Sequence, residues 1–348
     1  MSTVAIVGAG PAGCRLALQL ANARFDVRLI AGPPTSKVYL ETLSARAADS
    51  PLGSGEIVTH ASAWGSAKVY EHAAIFSPWG SDRLVARPAL DLALRRLAVE
   101  AGAHIIEDVL RAAERVGVCW RLSLASGRCI TADVVVDATG RRRKFARLLR
   151  VPRAARFDRL VAYPARLIPS VHGPNTTTLV LSDQDGWWYV GSAREGGLCA
   201  VYFTDGDLVG PSPLRQIAAS WRRVRGNLPE PMHIAEIGTP QPAYSECLCR
   251  PVGDAWLAIG DAAAAFDPLS SSGLYFAQAS ADWAAEAILA TALEAYGSTV
   301  TTFVGEFLLS RRKVYGGEHR FANLPFWSRR QMGTSLFKTH ALQTEGVQ

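Results

Sequence analysis

Residues 3–13 read Thr-Val-Ala-Ile-Val-Gly-Ala-Gly-Pro-Ala-Gly, and this stretch decides the fold. The first five residues are apolar or β-branched and predict a buried strand. The glycines follow at a spacing that allows a tight turn, the close approach of a pyrophosphate and the close packing of helix on strand. A helical pattern then extends to about Ala23, and a second strand is predicted at Val27–Ile30. We therefore predict a β-α-β unit that binds a dinucleotide at the N-terminus of its helix.

One part of the dinucleotide-binding pattern is missing. An acidic residue normally ends the second strand, about 20 residues after the glycines, and binds the ribose hydroxyls. Ala31-Gly32 stands there instead, and Asp26 lies at the opposite end of the strand. The ribose contact is therefore expected from another segment. The cofactor contacts predicted in the glycine turn are Gly8, Gly10, Pro11, Ala12 and Gly13.

Two later strand–turn segments predict contacts with the same cofactor. Asp133–Gly140 is a buried strand that ends in a turn of small residues, Ala138-Thr139-Gly140. Trp256–Gly273 is a second buried strand followed by an Asp-Pro-Leu-Ser-Ser-Ser-Gly turn that begins a helix. N–H groups at such a helix start can polarise a ring oxygen of a ligand. The contacts predicted in this third segment are Gly260, Asp261, Pro268, Ser271, Ser272 and Gly273.

In this order and spacing the three motifs resemble the glutathione-reductase-type FAD-binding fold of flavoprotein monooxygenases and flavin-dependent halogenases. Three further segments look like a subgroup of small flavoproteins: 62–66 (Ser-Ala-Trp-Gly-Ser), 186–189 (Gly-Trp-Trp-Tyr) and the tail at 311–330. Members of that subgroup hydroxylate a precursor tryptophan during quinone-cofactor biogenesis. The resemblance also implies that Arg87, just before a predicted helix, contacts FAD; Arg46 is a weaker candidate.

The resemblance implies an α/β fold. Its parts are a three-layer Rossmann-like FAD-binding domain, an inserted antiparallel β-sheet substrate domain and a C-terminal helical tail. We place the FAD-binding domain at residues 1–155 and 250–285, with 60–85 partly facing the substrate, the substrate domain at 156–249 and the helical region at 286–348. The residue pattern agrees, because four strand-like runs fall between residues 160 and 203 and the chain reads as helical from Gly273 to about Gly316.

The chemistry that the resemblance implies is that of FAD and O2, in which a flavin C4a-hydroperoxide transfers oxygen to an electron-rich ring. NAD(P)H would supply the electrons, directly or through a partner flavin reductase. An aromatic wall over the flavin would suit an indole or a phenol, although aromatic residues on strands are also common in cores. The candidates for that wall are Trp64, Trp187, Trp188 and Tyr189.

Two side chains are candidates for catalysis. Glu41, in a segment similar to one in the same flavoproteins, suits a general base or a contact to a substrate N–H, and equally a cap of the helix predicted to follow it. Lys68 is a candidate for the lysine with which halogenases orient hypohalous acid, against the ordinary alternative of a surface lysine. The Trp-x-Trp-x-Ile-Pro signature of tryptophan halogenases is replaced by Trp187-Trp188-Tyr189-Val190-Gly191.

Four functions stay open from the sequence. The first is an FAD-dependent monooxygenase that hydroxylates an indole- or tryptophan-like substrate, which is an aromatic small molecule or a residue of a precursor protein or peptide. The second is a flavin-dependent halogenase of an indole or pyrrole. The third is an FAD-dependent reductase of the geranylgeranyl-reductase type. The last is a non-catalytic, flavin-bearing maturation partner.

The composition excludes several other classes. The 348 residues are 49% hydrophobic and 20% charged, which is typical of a globular protein. No apolar run approaches the ~18 residues of a membrane-spanning helix, so no membrane span is expected. The six cysteines are scattered without metal-ligand spacing. We therefore predict reduced thiols, no metal site and a cytoplasmic location.

The net charge of +6 comes from one segment. Residues 141–159 contain nine basic residues and one acid, a local charge of +8. The segment lacks the interleaved aromatic residues and motifs of nucleic-acid-binding proteins, so no nucleic acid is expected. We predict that it forms a short helix and an exit strand and docks an acidic partner, either a flavin reductase or a precursor protein. A plain solvated face is the ordinary alternative.

Overall fold

The computed structural model describes residues 2–32, 40–43, 59–73, 82–169, 177–192, 198–227 and 232–331. The helices in these ranges are α1 (Pro11–Asn22), α2 (Arg87–Glu100), α3 (Lys144–Leu148), α4 (Pro213–Val224), α5 (Ser272–Leu289), α6 (Leu293–Gly316) and α7 (Pro325–Gln331). The strands up to residue 137 are β1 (Thr3–Val7), β2 (Asp26–Ile30), β3 (Leu40–Leu43), β4 (Thr59–Ala63), β5 (Tyr70–Ala73), β6 (Arg83–Ala86), β7 (His104–Ile106), β8 (Leu110–Val116), β9 (Cys119–Leu124), β10 (Cys129–Ala132) and β11 (Val134–Asp137). The later strands are β12 (Arg153–Arg156), β13 (Leu160–Pro169), β14 (Thr177–Asp183), β15 (Gly186–Ser192), β16 (Leu198–Asp205), β17 (Met232–Ile237), β18 (Gln241–Pro242), β19 (Glu246–Leu248), β20 (Val252–Gly253), β21 (Trp256–Ala258) and β22 (Ala264–Ala265).

A six-stranded sheet of order β20-β21-β11-β1-β2-β7 forms the first body of the fold. All of its neighbouring strands are parallel except β20 and β21. Helices α1 and α5 pack together over this sheet, and the three-stranded sheet β8-β9-β10 adds Trp120, Leu122 and Ile130 to the same core. The sheet is thus covered on both faces, which explains why β1 and β11 read as continuous apolar runs.

A second, larger sheet has the order β17-β13-β16-β15-β14-β4-β5, with β18 paired beside β13. Its neighbours are antiparallel except β14 and β4. Successive side chains of β15 point to opposite faces. Trp188 therefore packs under α4, where it contacts Trp221, whereas Trp187 stacks on Phe203 beneath the tail helices.

The predicted architecture is confirmed: a three-layer α/β body, an antiparallel sheet and a helical tail. Strands β4 and β5 cross from the first third of the chain into the large sheet, so their residues lie beside the candidate substrate region. The exact domain boundaries stay a prediction. No helix among the described residues is both long and apolar enough to cross a membrane.

The prediction of a helix directly after Glu41-Thr42 is wrong for the first residues of that helix. Residues 40–43 form strand β3, which pairs antiparallel with β6 and sets Glu41 opposite Val85. The Leu-Glu-Thr-Leu alternation suits a strand, and its partner lies about 40 residues further along the chain, beyond the reach of a local pattern. Residues 44–58, which include Arg46 and the rest of the expected helix, lie outside the described ranges.

A buried ion pair fixes the tail to the large sheet. Arg330 of α7 and Asp205 at the end of β16 are each about 2% exposed, and Nη1 of Arg330 lies 3.1 Å from Oδ2 of Asp205. The guanidinium also lies 3.7 Å from the ring centroid of Phe326. A desolvated pair of this kind is strongly destabilising when only one partner is removed.

We expect Arg330→Met to lower the free energy of unfolding by about 3 kcal/mol, because it leaves the Asp205 carboxylate buried with less compensation. The matched control is Arg159→Met, which breaks the exposed ion pair with Asp207 and should cost no more than about 1 kcal/mol. Urea denaturation of both variants measures the difference. Equal losses for the two variants would contradict a structural role for the tail pair.

Candidate functional site

A cavity of about 900 Å³ opens where the carboxyl ends of β1 and β2 meet the N-terminus of α1. Most of the predicted cofactor residues line it, namely Gly8, Gly10, Pro11, Ala12, Arg87, Ala138, Thr139, Gly140, Gly260, Asp261 and Gly273. Gly13, Pro268, Ser271 and Ser272 do not. One cavity therefore brings together residues from all three sequence motifs.

The glycine turn forms the floor of the cavity. Gly8 has a φ of +114°, and a Cβ there would collide with the backbone carbonyl of Ala138. A Cβ on Gly13 would collide with the carbonyl oxygen of Gly8, so Gly13 serves the close packing of helix on strand. Nothing lies within 4 Å of the Cβ position of Gly10. The position predicted for close approach of a phosphate is thus the open one.

Asp137 holds the second motif in place from below. Its carboxylate is fully buried and accepts hydrogen bonds from the backbone N–H of Thr139 (3.0 Å), the hydroxyl of Thr139 (2.6 Å) and the backbone N–H of Ala146 (2.9 Å). Burial raises the pKa of this carboxyl, and the hydrogen bonds oppose that rise. Asp137 therefore shapes the turn, and Ala138, Thr139 and Gly140 face the cavity.

The third motif approaches from the opposite side. Gly260 has a φ of +55°, and its N–H donates to the hydroxyl of Ser280 (2.9 Å). Asp261 is 39% exposed, and its Oδ2 lies 3.6 Å from Nε of Arg141. Asp267 is buried and caps the short 3-10 turn at 268–270 by accepting from the backbone N–H of Leu269.

Helix α2 contributes a charged face, of which sequence reasoning identifies only Arg87. Arg87 pairs with Asp91 (2.9 Å), and Nε of Arg95 donates to the carbonyl of Ala9 in the glycine turn (3.3 Å). All three side chains line the cavity. Positions 87, 91 and 95 are four residues apart and so lie on one helix face. This spacing of charged residues was a signal in the sequence.

The structure offers a replacement for the missing ribose acid. Asp108 lies just after β7, the neighbour of β2, and lines the cavity beside Gly32. Its Oδ1 accepts from the backbone N–H of Val109 (2.7 Å), and a hydrogen bond from Ser126 lowers the pKa of its carboxyl. The carboxylate thus lies at the edge of the sheet where the ribose acid is expected, but just after the next strand.

The predicted aromatic wall divides into two groups. Trp188 is fully buried and donates to the hydroxyl of Ser220 beneath α4, so it belongs to the core. Trp64, Trp187 and Tyr189 lie on the other face of the sheet. Trp187 is enclosed there and donates to the hydroxyl of Tyr315 (3.0 Å), whereas Trp64 and Tyr189 are half-buried.

The three segments that look like the small-flavoprotein subgroup come together in this region of the structure. The ring of Trp64 lies 6.5 Å from that of Trp187 and 5.1 Å from that of Trp327, and its Nε1 donates to the carbonyl of Val314. The backbone N–H of Gly65 donates to the Glu318 carboxylate (2.8 Å). Segments 62–66 and 186–189 and the tail are therefore parts of one aromatic cluster.

The two catalytic candidates lie apart. The backbone of Glu41 is paired in the β3–β6 ribbon opposite Val85, which lies two residues before Arg87, and the side chain of Glu41 lies outside what the structure describes. Lys68 is exposed in the turn between β4 and β5 and does not line the cofactor cavity.

The basic residues of segment 141–159 lie in several different environments. Arg143 pairs with the fully buried Glu246 (3.2 Å), and Arg159 pairs with Asp207 (2.9 Å). Arg156 lies over the ring of Tyr244, 3.6 Å from its centroid. Three others line the cofactor cavity: Arg142, Lys144 and Arg147. The local +8 is therefore not one continuous exposed face.

The residues of the cavity fit FAD. The Cβ positions of Gly10, Gly140 and Gly273 all point into open space, so the cavity wall is bare backbone at three places where a flat or phosphate-bearing group can approach. The start of α1 would supply N–H groups for a diphosphate, and Arg87 would supply a positive charge.

Comparisons with known proteins agree with this geometry. Residues 3–175 match the family model described as lycopene cyclase protein, a range that contains the first two motifs. LodB of Marinomonas mediterranea, a candidate FAD-dependent oxidoreductase, is 27% identical over 293 residues, which cover 79% of this chain and 78% of LodB.

Two solved structures share the fold over nearly the whole chain. The myxobacterial chondrochloren halogenase CndH has a TM-score of 0.81 at 20% identity and covers 99% of this chain and 89% of its own. QhpG, a peptidyl tryptophan dihydroxylase essential for tryptophylquinone cofactor biogenesis, has a TM-score of 0.71 at 22% identity and covers 95% of this chain and 78% of its own. The resemblance drawn from the motifs is confirmed at the level of the fold, which this chain shares with a flavin-dependent halogenase and with the tryptophan dihydroxylase.

Proposed function

We propose that this protein is an FAD-dependent monooxygenase that hydroxylates an indole-type aromatic substrate. The substrate is a tryptophan residue of a precursor protein or peptide, or a small aromatic molecule. The observation that carries the proposal is the single cavity in which all three FAD motifs meet. The likeness of 95% of the chain to a peptidyl tryptophan dihydroxylase supports the choice of substrate.

The residues of the cavity have separate tasks in this proposal. The glycine turn and Arg87 bind the diphosphate, Asp108 orients a ribose, and Asp261 accepts from a ribityl hydroxyl. Bound FAD activates O2 and supplies the oxygen that is inserted into the ring. The balanced reaction converts one aromatic C–H, O2, NAD(P)H and a proton into the hydroxylated ring, water and NAD(P)⁺. The electrons come from NAD(P)H directly or through a partner reductase.

The substrate side of the site is proposed at the rim of the aromatic cluster. Trp64 and Tyr189 are half-buried there, and a half-buried aromatic side chain can contact an indole face. Trp187 supports Trp64 from the interior. Glu41 stays a candidate to accept a hydrogen bond from a substrate N–H.

The position of Lys68 favours hydroxylation over halogenation. A halogenase lysine must reach the space between flavin and substrate, and Lys68 is exposed in a turn away from the cofactor cavity. Trp187 and Trp188 point to opposite faces of one strand, so they also do not form a common wall.

We expect Gly10→Val to reduce the bound flavin by at least about tenfold, because the new side chain fills the space in which the diphosphate approaches. Folding should be unaffected, since nothing surrounds that Cβ position and the φ of −83° suits any residue. Gly210→Val is the control, because this exposed glycine has equally open space. The ratio of flavin to protein absorbance is the measurement. Full flavin content in Gly10→Val would refute this cofactor site.

Mass spectrometry tests the reaction itself. The holoprotein is incubated with reduced flavin, ¹⁸O2 and tryptophan-containing peptides or free indoles, in the presence of chloride and bromide. We expect the substrate to gain labelled oxygen on its indole ring, and the Gly10→Val variant to give no product. A halogen mass gain would establish the halogenase alternative, and turnover without O2 would establish the reductase. Flavin binding without any turnover would favour the maturation partner.

A further inference from the structure

A buried carboxylate fastens the turn after β4 to the tail. Glu318 follows α6 and is fully buried. Its Oε2 accepts hydrogen bonds from the backbone N–H of Gly65 (2.8 Å), the hydroxyl of Ser182 (2.6 Å) and the guanidinium of Arg320 (2.7 Å). Its Oε1 accepts from the backbone N–H and from Nε of Arg320 (both 3.0 Å). We call Glu318 and these three donor residues the Glu318 anchor.

The donors of the Glu318 anchor outweigh the cost of burying its charge. Burial alone would raise the pKa of the Glu318 carboxyl, but the hydrogen bonds from Arg320, Ser182 and Gly65 hold that pKa below its ordinary value. Hydrogen bonds to an ionised carboxylate are about twice as strong as neutral ones. The donors come from the turn after β4, from β14 and from the tail, so one charge holds three distant segments together.

The turn after β4 lies against the tail at a distance that glycine requires. Gly65 has a φ of +70°, and a Cβ at this position would lie 2.5 Å from the carbonyl oxygen of Gly317. Trp64, the preceding residue, donates from its Nε1 to the carbonyl of Val314 (2.9 Å) in the last turn of α6. The backbone and the side chain of this turn are therefore both fixed to the tail.

The ring of Trp64 is fixed on several sides and is still accessible. It makes edge-to-face contacts with Trp187 (6.5 Å between centroids), Tyr315 (5.7 Å) and Trp327 (5.1 Å), yet it is only half-buried. Tyr315 also donates from its hydroxyl to the carboxylate of Asp267 (2.8 Å) in the third motif. The orientation of Trp64 is thus set relative to the turn that we predict to contact the flavin.

We propose that Glu318 is a positioning residue, which fixes Trp64 as a rigid wall against which the aromatic ring of the substrate packs. This inference rests on the proposed function, in which Trp64 lies on the substrate side. An aromatic side chain that is already fixed loses little conformational entropy when a flat ring binds to it, so fixing it before binding favours affinity. Because Glu318 is fully buried, it acts through Trp64.

The test uses one isosteric variant and one matched control. Glu318→Gln replaces an acceptor oxygen by an NH2 group, which then faces hydrogen-bond donors. Asp183→Asn is the control, because Asp183 is an equally buried carboxylate next to Ser182 whose oxygens bind Arg223 of α4 instead (2.8 and 2.6 Å). A general loss of stability would affect both variants, whereas a loss of positioning would affect only the first.

Fluorine NMR of protein labelled with 5-fluorotryptophan measures the positioning without any substrate. The chain has nine tryptophans, and Trp64→Phe assigns the signal of Trp64. We expect Glu318→Gln to shift or broaden this signal and Asp183→Asn to leave it unchanged. Gly65→Ala should act like Glu318→Gln, because its Cβ would collide with the Gly317 carbonyl and displace the same turn. This second variant gives a result even if Glu318→Gln does not fold.

Binding of N-acetyltryptophan amide and of indole to the flavin-loaded protein is measured by calorimetry. We expect Glu318→Gln to raise the Kd by about tenfold, as Trp64→Phe does. The double variant should be no weaker than Trp64→Phe alone, because two residues that act through one contact are not additive. During turnover with reduced flavin and O2, KM should rise while kcat stays close to that of the wild type.

Three outcomes would overturn the inference. They are an unchanged fluorine signal of Trp64 in Glu318→Gln and Gly65→Ala, additive losses of affinity in the double variant, and a lower kcat at unchanged KM. A wild-type holoprotein that binds neither N-acetyltryptophan amide nor indole would instead contradict the proposed function and, with it, the use of Trp64 as a wall. The fluorine signal distinguishes the two failures, because it reports the role of Glu318 without any substrate.

Discussion

The close approach of three backbone segments around Gly8 is the constraint on which the cofactor cavity depends. A side chain at Gly8 would collide with the backbone at Ala138, and one at Gly13 would collide with Gly8 itself. Strand β1, helix α1 and the turn after β11 are thereby held at a separation that only glycine allows. The floor of the cavity is consequently backbone, whose N–H groups can bind phosphate without a side-chain intermediary.

A second junction couples this cavity to the large sheet. The Arg311 guanidinium of α6 lies 2.9 Å from the carboxylate of Asp158, which precedes β13, and 3.1 Å from that of Asp267 in the third motif. Asp267 also accepts from the hydroxyl of Tyr315, which in turn accepts from Trp187 of the large sheet. These groups are all buried, so separating any one of them leaves a desolvated charge or hydroxyl behind. The tail, the large sheet and the turn of the third motif are therefore joined by one buried network.

Local patterns predicted most of the fold, and long-range contacts account for what they missed. Helix α1 runs from Pro11 to Asn22, close to its predicted end at about Ala23, because its Pro start and apolar spacing are local signals. The glycine motifs are equally local. In contrast, strand β3 depends on its pairing with β6, and Asp108, the proposed ribose contact, lines the cavity from just after a neighbouring strand. The contact of Trp64 with Trp327 joins residues more than 260 positions apart, which no spacing rule detects.

The basic segment shows why a count of charges along the chain does not identify a partner. Its nine basic residues suggest one large positive face, because a sequence displays charges without their counter-ions. Folding supplies Glu246 to Arg143 and Asp207 to Arg159, and the one acid of the segment, Asp158, binds Arg311 of the tail. The charge available to a ligand is what remains after these internal pairs are subtracted. Much of that remainder, namely Arg142, Lys144 and Arg147, lines the cavity in which the three motifs meet, so the charge of the segment faces that cavity as well as solvent.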